Sequence, residues 1–432
     1  MLKRWLLPLV LLQLYLAISL LLYFQGPWPW PTINSNRLIL FLVLSQIFIA
    51  AGYLSGFYHL KGLNRFSYDS GRLVHKLFKS YKFSMVITAL FIIPTSLSRS
   101  GLVIPDLITG IFSTGKSYND FQAISGSMPI VEYGRILFSP VLVAFFPMTI
   151  FLWNYMARSR KLMAALLIFY WISIYVSSGV NKGLADFIIT LPVFLVAHIF
   201  WSKSRFISIK KILISCLVLL ILFLSFFGEG QKHREGGVGA EGVFNIGSSI
   251  IYSDRDSNLT KNLPESVLII YESLSRYINQ GYYALDKSFD IENSHTAFLG
   301  HSMFLSRQAN RIIDTTYFTD NSLPGVLEKN EGYGMYSLWH SIYVWLMSDF
   351  GYLGTLLCMA VFGYLLSVFW SETIIRPSVL SLSGLYLMSI LFAYVPGNNQ
   401  IFQSGETTVA FIFTCLWLFL IKIQRSCRGV IK

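Results

Sequence analysis

Ten apolar segments of roughly twenty residues each constrain this 432-residue chain more than any other feature. A segment of that length crosses the hydrocarbon core of a bilayer as a helix, because the backbone inside lipid must satisfy its own hydrogen bonds. Charged residues make up only 13% of the chain, too few to cover a soluble fold of this size. We therefore predict an all-α polytopic integral membrane protein with about ten transmembrane helices. The segments lie near residues 6–24, 38–58, 82–98, 136–156, 162–178, 184–200, 212–228, 351–370, 379–396 and 406–421.

The lysines and arginines of the short loops predict the orientation of these helices. With the amino terminus placed in the cytoplasm, twenty of them fall in cytoplasmic segments and five in the short segments on the other side. Because short cytoplasmic loops are enriched in positive charge, both termini are predicted to be cytoplasmic. The same bias accounts for the net charge of +12 without a nucleic-acid partner, since the charge faces an anionic lipid leaflet. The five outer residues are Arg37, Arg99, Lys116, Arg135 and Lys182.

Two of the predicted outer segments are long, and the longer one divides the chain into three regions. Residues 1–228 hold helices 1–7, with a shorter outer loop at 99–135. A large outer loop follows at 229–336 and carries 14 of the 22 acidic residues, and residues 337–432 hold helices 8–10 and a basic tail. Long polar segments fixed by a rigid scaffold are where functional sites are usually built.

The large loop contains one strong helical pattern. Apolar residues between Val267 and Leu285 recur at helical spacing, with polar residues on the other side, which predicts an amphipathic helix lying on the membrane or over the mouth of the bundle. The glycine-rich stretch from Gly228 to Gly247 predicts irregular structure. In the first outer loop, Trp28 and Trp30 are typical of an interfacial aromatic belt.

Several familiar motifs favour ordinary structural interpretations. Residues 237–242 match G-x-G-x-x-G, but they follow a membrane span rather than a strand, which favours a flexible loop. Asp254 and Asp256 have the D-x-D spacing of some sugar transferases that use metal and nucleotide. Their predicted location opposite the nucleotide pools favours solvated loop charges. The four cysteines have neither disulfide nor metal spacing. The near absence of ionisable residues within the spans disfavours an ion-coupled transporter.

Cationic residues in the outer segments are candidates for binding a pyrophosphate, because the guanidinium fork presents paired donors to phosphate oxygens. Two of them have a structural alternative. Arg276 follows Glu272 by one helical turn and can form an i,i+4 ion pair with it, and Lys182 can cap the helix it ends or pair with Asp186. The candidates are Arg99, Arg135, Lys182, Arg234, Arg276, Arg307 and Arg311.

Two stretches carry a resemblance to a known family. Around Tyr277-Ile-Asn-Gln-Gly-Tyr-Tyr-Ala-Leu285, and from Trp339-His-Ser-Ile-Tyr to Gly354, the chain resembles the Wzy-type O-antigen or capsule repeat-unit polymerases. Those proteins are helical bundles of the bacterial inner membrane with a large periplasmic loop late in the sequence. Arg99 and Gly110 fit the R-x10-G pattern of that family.

The resemblance implies a glycosyl transfer on the periplasmic face. A glycan on undecaprenyl pyrophosphate would be passed to the sugar of a new lipid-linked repeat unit. It implies the lipid-linked oligosaccharide and the bilayer as partners and allows a chain-length regulator. No nucleic acid, cofactor or metal is implied, because the donor is already activated.

Within that chemistry, Arg276 would stabilise the leaving pyrophosphate. His301, His340 and Glu272 are candidate bases for the acceptor hydroxyl, each with the alternative of an ordinary polar residue. Two other functions remain open. One is an O-antigen ligase that transfers the glycan to lipid A core, and the other is a non-catalytic flippase or transporter of lipid-linked glycans.

Overall fold

The computed structural model of the chain describes residues 2–60, 70–124, 126–202, 209–233, 241–292 and 295–430. Over these residues the fold is almost entirely helical, with seventeen α-helices and one two-stranded antiparallel sheet, which confirms the predicted all-α class. In chain order the elements are α1 (Leu2–Gln25), α2 (Ser35–Leu60), α3 (Ser70–Ser100), α4 (Leu107–Phe112), α5 (Thr114–Ile124), α6 (Pro129–Leu152), α7 (Arg158–Ser177), α8 (Lys182–Ser202), α9 (Ile209–His233), β1 (Val243–Asn245), β2 (Ile250–Tyr252), α10 (Glu265–Ser288), α11 (Met303–Ile313), α12 (Tyr317–Asp320), α13 (Leu323–Glu331), α14 (Ile342–Ile375), α15 (Val379–Tyr394), α16 (Gln400–Gln403) and α17 (Gly405–Val430).

The long helices make this a multi-pass membrane protein. Among the residues described, nine helices are long and apolar enough to cross a membrane: α1, α2, α3, α6, α7, α8, α9, α14 and α17. The apolar helix α15 has 16 residues and a length of about 24 Å, which is short of the roughly 30 Å hydrocarbon core. The ten segments predicted from the sequence fall largely within these ten helices.

The chain divides into two compact units that each combine separate stretches of sequence. Unit 1 consists of Met1–Gly56, Ile221–Tyr364 and Ile390–Ser404. Unit 2 consists of Phe57–Leu220, Leu365–Ser389 and Gly405–Lys432.

In unit 1, α2 and α14 cross with their backbones in contact. A Cβ atom added at Gly52 would lie 1.8 Å from the carbonyl oxygen of Ala360, and one at Gly363 would lie 2.2 Å from that of Ile49. Small residues at a crossing let two membrane helices approach closely, so dispersion contacts hold them together where lipid supplies no hydrophobic drive.

The glycine-rich stretch of unit 1 is more regular than predicted. Helix α9 continues to His233, and β1 pairs with β2 from Val243↔Tyr252 to Asn245↔Ile250. Gly242 enters the hairpin with φ +71°, a conformation that glycine adopts without a Cβ clash. Gly237 and Gly239 of the predicted flexible loop lie outside the described residues.

The predicted helix of the large loop is confirmed as α10, but its polar side has a different environment from the one expected. Five polar side chains, which we call the α10 polar face, are buried inside unit 1 instead of facing outward. Segments distant in sequence cover several of them: Arg255 pairs with Glu272, Phe244 and Gln231 contact Arg276, and the backbone N–H of Trp339 donates to Gln280. This cover is not visible in the spacing of the helix itself. The α10 polar face consists of Glu272, Ser275, Arg276, Asn279 and Gln280.

The tryptophans between α1 and α2 help to cover the same helix, so the predicted interfacial aromatic belt is wrong. Trp28 and Trp30 are both buried. The Trp28 Nε1 donates a hydrogen bond of 2.8 Å to the carbonyl oxygen of Glu272, and the Trp30 ring lies 6.0 Å from that of Phe244. These residues therefore fix the segment between α1 and α2 against α10 and the hairpin.

Unit 2 is organised around α6, which packs along α3 and α17, while α7 packs against α3 and α4. The contact of α4 with the end of α7 is close, because a Cβ atom added at Gly110 would lie 2.4 Å from the carbonyl oxygen of Val176.

Candidate functional site

A break in α14 positions the first candidate group of the site. The sequence predicts that Gly351 and Gly354 open a span, but the helix already begins at Ile342 and is interrupted at Gly351. Gly351 has φ 61° and ψ −169°, a backbone conformation that is essentially restricted to glycine. Asp349 lies two residues before this break, where the local backbone departs from a continuous helix.

Asp349 and His301 form a hydrogen-bonded dyad in unit 1. The Nδ1 of His301 lies 2.9 Å from Oδ2 of Asp349, and the backbone N–H of His301 donates to the same oxygen at 2.7 Å. The Thr296 hydroxyl donates to Oδ1. The Asp349 side chain is 1% exposed, whereas the His301 side chain is 17% exposed. The carboxylate is thus enclosed by donors, while the imidazole reaches the surface.

Hydrogen bonds with residues 399–402 hold the backbone around His301 in place. The Asn399 Nδ2 donates to the carbonyl oxygen of His301 at 2.9 Å, and the Ser302 hydroxyl donates to that of Phe402 at 2.8 Å. Just before, Ala297 and Phe298 adopt φ values of 50° and 59°, which are uncommon for residues with a side chain. Such backbone persists only where surrounding contacts over-determine it, and it clusters at functional sites.

The dyad has the arrangement of a general base. With the Nδ1 proton donated to Asp349, Nε2 is left as an acceptor, and the carboxylate orients the ring and stabilises the imidazolium that forms when a proton is taken up. The sequence identified His301 but not its partner, because 48 residues separate the two. The sequence signal for Asp349 was an ionisable residue at the end of an apolar segment.

Arg276 lies on α10 in the same unit, enclosed by aromatic rings. Its Cζ is 4.8 Å from the ring centroid of Phe244 and 5.6 Å from that of Tyr277, and its Nη2 donates to Oε1 of Gln231 at 3.3 Å. A guanidinium buried beside aromatic rings lies in a low-dielectric environment, where it acts strongly on an anion.

Glu272 is held by a partner that the sequence did not suggest. Arg255 donates from Nε to Oε1 and from Nη2 to Oε2, both at 2.8 Å, and the Ser253 hydroxyl also donates to Oε1. Both oxygens of the Glu272 carboxylate therefore accept hydrogen bonds from the Arg255 guanidinium. A carboxylate engaged in this way is poorly suited to act as a general base. The adjacent carboxylate raises the pKa of Arg255 above its ordinary value. Arg255 is part of the predicted D-x-D loop and is not simply a solvated charge.

His340 is a poor base for a different reason. It is fully buried, its Nδ1 is 3.1 Å from the carbonyl oxygen of Leu338, and its ring meets that of Tyr333 edge-on. Burial lowers the pKa of His340 from 6.5 to about 3, so the ring stays neutral and binds a proton weakly.

The remaining cations of unit 1 are more peripheral. Arg307 and Arg311 are exposed on α11, where the Cζ of Arg307 lies 5.8 Å from the ring of Tyr336. Arg234 lies outside the described residues.

Unit 2 contains a separate ionic cluster at the ends of several helices. Arg135 is fully buried, with Nη2 2.5 Å from Oε1 of Glu406 and Nη1 3.3 Å from Oε1 of Glu132. The Arg99 Nη2 lies 3.6 Å from the same oxygen of Glu406, and the Ser98 hydroxyl donates to Glu132 at 2.6 Å. Carboxylates thus already compensate both arginines, which favours a role in joining α3, α6 and α17.

Lys182 belongs to the same cluster. It begins α8, so the predicted cap at the end of a helix is wrong, and its positive charge acts on Glu406. Sequence analysis did not single out Glu132 or Glu406 as partners: Glu132 lies one helical turn before Arg135, whereas Glu406 lies far along the chain from the cations that it contacts. An acidic residue at the start of an otherwise apolar span, as at Glu406, was the available signal.

No family model, curated protein or solved structure matches the chain. Function is therefore inferred from the side chains themselves. Unit 1 combines an oriented imidazole with a buried guanidinium, which are the groups needed to deprotonate a hydroxyl and to stabilise a departing phosphate.

Proposed function

We propose that the protein is a membrane glycosyltransferase that polymerises oligosaccharide repeat units linked to undecaprenyl pyrophosphate. In this reaction the acceptor hydroxyl forms a bond to the anomeric carbon of the donor glycan. The bond from that carbon to the pyrophosphate breaks, and the lipid pyrophosphate leaves. The hydroxyl proton goes to the base.

The observation that carries the proposal is the His301–Asp349 dyad. A sugar hydroxyl is a weak nucleophile and gains from a base at hydrogen-bond distance. Of the three candidate bases, His301 has a ring that is both oriented by a carboxylate and partly exposed, whereas His340 is buried and Glu272 is paired with Arg255. We therefore assign His301 as the base and Asp349 as the residue that positions it.

Arg276 supports the second half of the reaction. The leaving pyrophosphate carries negative charge that a fixed guanidinium stabilises, and the rings of Phe244 and Tyr277 hold the guanidinium in one place. A pyrophosphate donor is already activated, so nucleotide and metal are not required by the chemistry.

The same proposal sets the location of the protein. The apolar spans and the lysine and arginine bias support a multi-pass membrane protein with both termini in the cytoplasm and residues 229–336 on the opposite side. The proposed undecaprenyl-linked donor then places the protein in the inner membrane of a bacterium, with residues 229–336 in the periplasm. Lipid-linked substrates reach that face, whereas sugar nucleotides do not. A chain-length regulator would be a partner on the same face.

A complementation experiment tests the function. A strain lacking the gene is supplied with the wild type, His301→Gln or His295→Ala, and its surface glycan is separated on a gel. His295→Ala is the matched control, because His295 is exposed and its backbone carbonyl, which accepts from Tyr317, is retained. We expect a ladder with the wild type and the control, and a single repeat unit with His301→Gln.

Other outcomes of this experiment separate the alternatives. Loss of every repeat unit in the deletion strain would indicate the ligase or the flippase. A full ladder with His301→Gln at wild-type protein levels would rule out His301 as the base.

A further inference from the structure

Two buried amide side chains beside Arg276 each have one hydrogen-bonding atom that is not used. Gln231, at the end of α9, is 2% exposed and receives the 3.3 Å hydrogen bond from Arg276 at its Oε1. Its Nε2 donates to no group among the residues that the structure describes. Buried amide donors almost always have a partner, so this one calls for a functional explanation.

Asn279 is the second amide. It is 0% exposed, and its Nδ2 donates to the Ser275 hydroxyl at 3.4 Å. Its Oδ1 accepts no hydrogen bond within the described part of the chain. One unused donor and one unused acceptor therefore lie in the same buried region.

Helical geometry places Asn279 on the same side of α10 as Arg276. Arg276 and Asn279 are three residues apart on α10, so their side chains lie on the same face of the helix, and Gln231 contacts Arg276 directly. The aromatic rings of Phe244 and Tyr277 enclose the same guanidinium. The combination of a cation, aromatic walls, one neutral donor and one neutral acceptor matches a phosphorylated sugar, whose ring carries both kinds of polar group.

We propose that Gln231 and Asn279 form a subsite for the sugar attached directly to the pyrophosphate, next to the phosphates contacted by Arg276. This inference rests on the proposed function. The Gln231 Nε2 donates to a hydroxyl or acetamido oxygen of the sugar, and the Asn279 Oδ1 accepts from a hydroxyl or amide N–H.

The subsite gives sugar selectivity rather than catalysis. A site with buried polar groups discriminates strongly against a ligand that leaves those groups unpaired. Because Arg276 is only 5% exposed and the ring of Phe244 lies on its guanidinium, ligand entry requires the β1–β2 hairpin to move away from α10.

A binding experiment with the full-length protein in lipid nanodiscs tests the subsite. The probes are undecaprenyl diphosphate and its N-acetylglucosaminyl and glucosyl derivatives. The variants are Gln231→Met and Asn279→Leu, which keep the size of each side chain and remove its polar atoms. Gln308→Met on α11 is the matched control. The readout is the ratio of affinities for the glycosylated and bare diphosphates, so that effects on phosphate binding cancel.

We expect the wild type and Gln308→Met to prefer at least one glycosylated probe over the bare diphosphate by about tenfold or more. In Gln231→Met and Asn279→Leu this preference falls to near unity, while binding of the bare diphosphate persists. A preference for both sugars indicates hydroxyl recognition, and one for the N-acetylglucosaminyl probe alone indicates the acetamido group. Each of these results supports the subsite.

Two results would overturn the subsite alone, and they are distinguishable from failure of the proposed function. If both amide variants keep the wild-type preference, the subsite is wrong while the glycosyltransferase remains. If the wild type binds the bare and glycosylated diphosphates equally, the amides do not read the sugar. Absence of any binding by the wild type would contradict the proposed function and the subsite together.

Discussion

Asp349 accepts hydrogen bonds from the ring and backbone nitrogens of His301 and from the Thr296 hydroxyl. These contacts fix the carboxylate, and the carboxylate in turn fixes the tautomer of the ring. Sequence analysis gave His301 as a candidate base, and Asp349 was not among the candidates. It could not pair them, because the link depends on the break at Gly351 and on the loop before His301.

Replacing Asp349 by asparagine tests this pairing. The amide would present a donor where the ring Nδ1 proton now needs an acceptor, so the imidazole would turn or change tautomer. We expect Asp349→Asn to lower the rate of transfer by about 10²- to 10⁴-fold with little change in the amount of protein in the membrane. The transfer rate of purified protein gives the answer. An unchanged rate would show that the dyad does not act as a base.

His340 makes stability depend on pH in a predictable direction. Burial lowers its pKa from 6.5 to about 3. Between these values the unfolded chain binds a proton and the native protein does not, so stability is complete above pH 6.5 and falls as the pH is lowered towards 3. The loss is about 1.4 kcal/mol per pH unit, or about 2 kcal/mol between pH 6.5 and 5.

Thermal unfolding of the purified protein at pH 7 and pH 5 measures this effect. The variant His340→Gln has no titrating ring, so its midpoint should fall less between the two pH values than that of the wild type. Equal shifts for both proteins would mean that another group governs the acid sensitivity.

At the scale of elements, α10 shows what helical periodicity can and cannot predict. The apolar spacing from Val267 to Leu285 correctly predicted a helix, which runs from Glu265 to Ser288. The same pattern suggested an outward polar side, whereas Glu272 and the other residues of the α10 polar face are buried. Periodicity identifies the two sides of a helix, but the element that covers each side depends on contacts that are distant in sequence.

The Arg255–Glu272 pair carries a stability prediction for this element. Glu272 is buried, so removal of Arg255 leaves a carboxylate without its charged partner. We expect Arg255→Met to lower stability by about 2–3 kcal/mol, with the partial exposure of Arg255 keeping the loss below that of a fully buried pair. Thermal unfolding of the purified variant measures it.

The double variant Arg255→Met with Glu272→Gln is the control, because it removes both charges and should recover part of the loss. If Arg255→Met is as stable as the wild type, the ion pair does not hold the hairpin on α10.

At the scale of the whole molecule, hydrophobicity predicted the class and the approximate positions of the ten long apolar helices, but not the short helices between them. Lipid forces apolar segments into helices regardless of neighbouring contacts, so their length and composition suffice. It did not predict that the chain forms two units from interleaved stretches, or that Glu406 of the last long helix pairs with Arg135. Those features depend on which helices pack together.

The predicted orientation is tested by labelling single cysteines in a variant without the four native ones. Lys261→Cys, in the large outer segment, should react with a membrane-impermeant maleimide on intact spheroplasts. Arg158→Cys should react only after permeabilisation, because it lies in a segment with cytoplasmic charge bias. Both positions are exposed, so the difference reports sidedness. Reaction of Lys261→Cys from the cytosolic face alone would place the candidate site beside the nucleotide pools and contradict the proposed donor.

The most direct measurement is polymerisation by the purified protein in liposomes that contain lipid-linked repeat units isolated from a strain lacking the gene, with no nucleotide added. The account predicts that the wild type makes a ladder of multiples of the repeat unit and releases undecaprenyl pyrophosphate, and that His301→Gln makes neither. A wild-type protein that binds these lipids and yields only the single unit, or a His301→Gln variant with a full ladder, would contradict it.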